Sequence, residues 1–219
     1  MHPNYHRQAR RVTVLLLGLA ALSATALPVA HAAPGMTERV SVASDGTQAN
    51  NISGRRGAPA ASADGQVVVF DSLASNLVPG DTNAFDDIFV RDRASGTTQR
   101  VSVSSTAAQG DNISSSPAIS GDGQVVAFVS NATNLVPGDT NTCGDFFPAA
   151  GMCPDVFVHD LATGSTDRVS VDSSGAQANS ASTDPDISAD GTTVVFFSAA
   201  SNLVAGDTNS SPDILAHTR

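Results

Sequence analysis

The chain has 219 residues, with 21 acidic side chains against 11 basic ones and a formal charge of −10. That balance speaks against nucleic acid and anionic membrane surfaces as partners, since both are bound through clustered basic residues. The length suffices for one domain with its own core.

His2, His6, Arg7, Arg10 and Arg11 form a basic head, and Val12 to Leu27 is nearly all apolar. Ala30-His31-Ala32 then places small residues where a signal peptidase reads. Residues 1–32 therefore read as a cleavable secretory signal peptide. The apolar run falls short of the ~20 residues a spanning helix needs, and Pro28 follows it. The expected mature domain is 33–219, secreted or held in the cell envelope, with no membrane insertion of its own. It keeps eight arginines and all the acids, a formal charge of −13. Cys143 and Cys153 are an even pair in an exported chain, so a disulfide between them is expected.

The mature region is written three times over. Each copy opens with Arg-Val-Ser-Val, at Arg39, Arg100 and Arg168. A polar loop follows, then a Ser-x-Asp-Gly turn at Ser62–Gly65, Ser120–Gly123 and Ser188–Gly191. An apolar run comes next: Val67–Phe70, Val125–Phe128 and Val194–Phe197. The phrase Asn-Leu-Val-Pro-Gly-Asp-Thr-Asn stands at Asn76–Asn83 and Asn134–Asn141, and recurs with Ala for Pro at Asn202–Asn209. A last strand-like stretch begins at Asp87, Asp155 and Asp213. Asp64 and Asp122 lie 58 residues apart, Asp122 and Asp190 lie 68 apart, and the extra ten fall between Asp139 and Asp155. A period near 60 without helical patterning means stacked β units.

Each unit reads as four strands. In the first these are Ala58–Ser62, Val67–Phe70, Asp87–Asp92 and Thr98–Val103. Asp-Gly marks a tight hairpin between the first two, because glycine tolerates positive φ. Gly96 and Gly164 mark the turn between the last two. The second strand is apolar at consecutive positions, which predicts burial of both its faces. The fourth alternates, which predicts an outer, half-exposed edge. Four-stranded antiparallel sheets stacked radially are propeller blades. The fold class is all-β and β-propeller-like, with three four-stranded antiparallel blades.

From about Thr37 to His217 these motifs together resemble the TolB-like, WD-repeat-like propellers of exported bacterial proteins. The resemblance implies a fold and little about activity, since propellers host many functions. Propellers usually have four to eight blades, so three make a partial propeller or half of a six-bladed homodimer. Glu38–Val42 reads as a fourth strand lacking the three before it. The third unit supplies three strands and lacks a fourth. Each of two chains would thus lend its first strand to the other's last blade.

Function is expected on the face that carries the long loops, since binding residues gather on loops held by a rigid scaffold. That face holds Gln109 and Asp111, and, inside the insertion, Phe146 and Phe147. The two phenylalanines either anchor a partner or fold under their loop. Asp81, Asn83 and Asp87, repeated as Asp207, Asn209 and Asp213, have the alternate-oxygen spacing of a calcium loop. The same residue types also cap turns through their own backbone, and both readings stand. No cofactor beyond calcium is implied. The mature histidines, His159 and His217, occupy the strand position of Arg91 and read as structural. No Gly-x-Ser-x-Gly elbow, paired glutamates or metal-spaced histidines appear. The expectation is an exported binding or scaffold module for a protein or small ligand. A calcium-stabilised structural repeat and a propeller hydrolase or lyase are the alternatives.

Overall fold

The structure is a computed structural model that describes residues 35–143, 153–209 and 211–219. The expected signal peptide, residues 1–32, and the pair Phe146 and Phe147 lie outside the described residues. Cys143 and Cys153 are bridged, with Cα atoms 4.6 Å apart.

The first blade is β1 (Ala60–Ala61), β2 (Val67–Ser72), β3 (Asp87–Asp92) and β4 (Thr97–Arg100), paired in that order. The second is β5 (Ser114–Ile119), β6 (Val125–Ser130), β7 (Asp155–Asp160) and β8 (Thr166–Arg168). The third has three strands, β9 (Ser182–Ile187), β10 (Thr193–Ser198) and β11 (Asp213–Thr218). Every pairing is antiparallel, and equivalent residues pair in all three sheets: Ser72 with Asp87, Ser130 with Asp155, Ser198 with Asp213.

The blades stack through their apolar faces. Between the first two lie Val69, Ile88, Val90 and Val101 on one side and Val126, Phe128 and Phe157 on the other. Between the second and third lie Ala127, Val156 and Val158 against Val194 and Phe196. Burying each such side chain contributes roughly 1.5–3 kcal/mol. The second strand of the middle blade is accordingly buried along its whole length. In the third blade the same strand alternates, and Val195 and Phe197 are 39% and 36% exposed. The expectation of two buried faces holds in the middle blade and over Val69–Ser72 of the first, where Ala74 and Leu77 cover Phe70, and fails on the open face of the third.

Successive blades are also tied by polar bonds at equivalent places. Thr166 Oγ1 donates to Val103 O at 2.5 Å, and Thr98 Oγ1 donates to Val42 O at 2.6 Å. At the tight-turn end, Ala63 N donates to Gly121 O at 2.9 Å. Gly191 sits where a Cβ would come within 3.0 Å of Val125 Cγ2, at φ +70°, so glycine there serves both the turn and the contact.

The outer strands are shorter than the sequence suggests. β4 stops at Arg100 rather than Val103. Val101 N still donates to Ile88 O, but Ile88 N donates to the hydroxyl of Ser102 at 3.1 Å. A side chain replaces a ladder carbonyl and the backbone peels away. Val156 and Ser170 repeat this at 3.2 Å. Glu38–Val42 forms no strand and has one bridge, Val42 with Gln48. β1 is also short, Ala60–Ala61 rather than Ala58–Ser62, and upstream of it the backbone of Arg55 and Arg56 bonds the side chain of Asp71.

Candidate functional site

The long loops of each repeat lock together at one end of the blades. Asn50 N donates to Asn76 Oδ1 at 2.9 Å, Ser75 N donates to Asn50 Oδ1 at 3.0 Å, and Asn76 Nδ2 donates to Gln48 O at 2.9 Å. Asp111 with Asn134 and Asn179 with Asn202 make the same reciprocal clamp. Asp111 further accepts from Thr133 N at 2.7 Å and Thr133 Oγ1 at 2.8 Å. Its carboxylate is spent on holding two loops together.

Beneath the clamps the first two repeats each carry a buried polar knot. Asp87 accepts Ser102 Oγ at 2.6 Å, Gln109 Nε2 at 3.1 Å and Asn83 Nδ2 at 3.2 Å. Arg100 Nη1 lies 3.3 Å from Asp87 and 3.4 Å from Asp81. Gln109 Nε2 also donates to Asp81 at 2.9 Å. The second repeat matches group for group, with Asp155, Asp139, Arg168, Gln177 and Ser170. Burial pushes the carboxyls of Asp87 and Asp155 up, against the hydrogen bonds from Ser102 and Ser170. Asn83 turns its Oδ1 to Phe85 N at 2.9 Å and its amide to Asp87 and Gly110 O. In these two repeats the positive charge facing the carboxylates is a guanidinium. Asp207, Asn209 and Asp213 line an open pocket of about 360 Å³ instead.

The recurring strand position is likewise internal. Arg91 Nη1 donates to Gly96 O at 2.7 Å and Thr98 Oγ1 at 3.1 Å. His159 Nδ1 pairs with Thr166 Oγ1 at 2.8 Å, and burial lowers its pKa toward the neutral ring.

One constellation on the same end does not repeat. Arg55 grips Asp86 through Nε at 3.1 Å and Nη2 at 2.8 Å, and Arg56 Nε reaches the same carboxylate at 2.5 Å. Asp86 is fully buried, while each arginine side chain is 38% exposed. Behind them Asp71, also fully buried, accepts the amides of Arg55 and Arg56 at 3.1 Å through Oδ2. Among the described residues its Oδ1 has no hydrogen-bond partner. Burial pushes the Asp71 carboxyl up, whereas Asp86 is pulled down because the bonds from Arg55 and Arg56 outweigh its burial. Gly57 lets this segment lie on the next blade, since a Cβ there would fall 2.7 Å from Ser116 Cα. The signal for this site is a break in the repeat. Where the first unit has Arg55, Arg56, Asp71 and Asp86, the second has Val129 for Asp71 and Pro154 for Asp86, and the third has Phe197 and Pro212.

Three like blades in register make the chain a β-propeller arc. No family model and no curated protein matches the sequence. Among solved structures it is similar to TolB from Acinetobacter baumannii, at 18% identity and a TM-score of 0.43. That match covers 79% of this chain and 31% of that one. A structure assigned to TolB from Agrobacterium tumefaciens has the same identity and TM-score, over 73% of this chain and 44% of that one. The tricorn protease matches at 13% identity and a TM-score of 0.40, over 71% and 11%. The chain thus spans less than half the length of these structures.

Proposed function

We propose that this is an exported binding module whose long-loop face presents Arg55 and Arg56 to an acidic group of a protein or small ligand. The observation that carries the reading is the half-exposed arginine pair held on buried Asp86. Arg55 spends Nε and Nη2 and Arg56 spends Nε on that carboxylate, so three guanidinium nitrogens remain to meet a carboxylate or phosphate. Fixing both arginines beforehand lowers the entropic cost of binding. The clamps at Asp111 and the knots at Gln109 serve as the rigid frame under that face. The disulfide fits an oxidising compartment and supports export. Hydrolase or lyase chemistry finds little to use here. Asp71 has a raised pKa but is sealed from solvent, and His159 is engaged by Thr166.

A poly-glutamate peptide titrated by calorimetry at low salt tests this. The chain should bind it, and Arg55→Gln with Arg56→Gln should weaken binding at least tenfold while the far-ultraviolet spectrum is unchanged. Equal binding by both proteins, or none by the unaltered chain, overturns the reading.

A further inference from the structure

The Thr-x-Arg-Val-Ser-Val segment occurs three times, at Thr37–Val42, Thr98–Val103 and Thr166–Val171. Two copies pair with the third strand of their own blade: Phe89 faces Arg100, and Phe157 faces Arg168. There Thr98, Val101 and Ser102 are buried, as are Thr166, Val169 and Ser170. In the remaining copy Thr37, Glu38 and Arg39 are exposed, and Val40 and Ser41 are only half-buried. Arg39 Nη1 donates to Gln48 Oε1 at 2.9 Å. Their counterparts Arg100 and Gln109 instead converge on Asp81.

The third blade presents the complementary edge. Among the described residues β11 pairs only with β10, and its other edge is open. Among the described residues, no hydrogen bond or ion pair reaches the side-chain carboxylates of Asp207 or Asp213, the equivalents of Asp81 and Asp87 in their own repeat. His217 is the equivalent of His159, and among the described residues no threonine hydroxyl bonds it as Thr166 bonds His159. Beside this edge Val195, Phe197 and Ile214 are exposed, Ile214 to 73%.

We propose that residues 37–48 of a second copy of this chain dock along the free edge of β11, placing Arg39, Ser41 and Gln48 on Asp207 and Asp213. The register follows from the other blades: Arg39 opposite Leu215, Glu38 opposite Ala216 and Thr37 opposite His217. Val40 then covers Ile214 as Val101 covers Ile88. The donor segment is already seated on its own first blade through Thr98 and Val42. For it to meet the β11 edge of its own chain, three blades would have to close a ring, and propellers use four to eight. Two copies joined head to tail at both contacts carry six. An open strand edge with buried-type carboxylates and apolar neighbours is a surface that natural proteins cover.

Light scattering on the purified secreted chain should give twice the monomer mass or a higher multiple. Arg39→Asp and Asp213→Arg should each fall to the monomer, and mixing the two should restore the dimer, since both contacts are then charge-matched. Arg39 is exposed in the single chain, so its replacement leaves the fold intact. A Glu38→Cys, Ala216→Cys chain should, on oxidation, link into species of dimer mass or above on a non-reducing gel. A monomeric unaltered chain, a dimer that survives Arg39→Asp, or a cross-link at monomer mass overturns the proposal.

Discussion

One carboxylate oxygen organises each tight turn. Asp190 Oδ1 accepts Ser188 Oγ at 2.6 Å, Thr192 N at 3.1 Å and Thr192 Oγ1 at 2.8 Å. These bonds, Ser188 foremost, hold its pKa down at about 2 from 3.8. A folded pKa below the unfolded one gives stabilisation that is complete above the unfolded value and is lost as pH falls toward 2. Asp190→Asn cannot titrate, so the difference in Tm between the two proteins should shrink from pH 5 to pH 2. A constant difference would show that the charge on Asp190 is irrelevant to the turn. The buried Asp87 has the opposite sign. Burial raises its pKa, so stability is lost as pH rises through that raised value, and the Arg100 guanidinium offsets this. Arg100→Ala should cost about 3–5 kcal/mol in urea unfolding at pH 7, the range for breaking a buried ion pair, and the deficit should narrow in acid. Because a guanidinium already faces Asp81 and Asp87, chelation should leave the Tm of the unaltered chain unchanged. A chelator-induced drop that Asp81→Ala abolishes would return calcium to that loop.

At the scale of the strand, the middle blade separates packing from pairing. Phe128 and Phe157 stack with ring centroids 5.9 Å apart and are fully buried. Phe128→Ala should cost about 3–5 kcal/mol, the range for truncating a core phenylalanine. Phe197→Ala, on the open face of the third blade, should cost about 1 kcal/mol or less in a monomeric chain. Urea midpoints measured on both variants at low protein concentration compare them directly, and equal losses would mean that the third blade is covered as the second is. The sequence pattern shows the strands that carry these residues, because consecutive apolar positions bounded by Asp-Gly turns admit little else. β3 runs Asp87–Asp92 as read from the repeat. The early end of β4 was not legible, since the Ser102 hydroxyl takes a ladder position only once Asp87 has been brought beneath it. Nor was the Arg55–Arg56 site. Residues found by repetition direct attention to what the units share, and this site consists of what they do not. Gln109 and Asp111 drew attention by polarity and position, and their partners across the loops could not be read from spacing.

For the whole molecule, each blade contacts only its neighbours, so stability should be graded along the arc as in other repeat architectures. The second blade has a blade on each side, and its strand β6 is wholly buried. The third has one neighbour, an open β11 edge, and side chains on β11 that alternate between half-buried and exposed. Local opening follows such differences in burial and pairing. In the Arg39→Asp chain, hydrogen exchange should therefore be slowest in β6 and β7 and fastest in β11. The unaltered chain gives the sharper contrast. If Arg39, Ser41 and Gln48 of a second copy close the β11 edge, the β11 amides should slow markedly relative to the variant, while those of β6, already paired on both sides, should change little. Exchange followed by mass spectrometry at matched protein concentration reads both strands in one experiment. Slowing spread equally over all three blades would mean that Arg39 acts on global stability. Slowing confined to β11 and to residues 37–48 ties the edge, the arginine and the second copy together, because among the described residues no strand pairing, hydrogen bond or ion pair within one chain links those two segments.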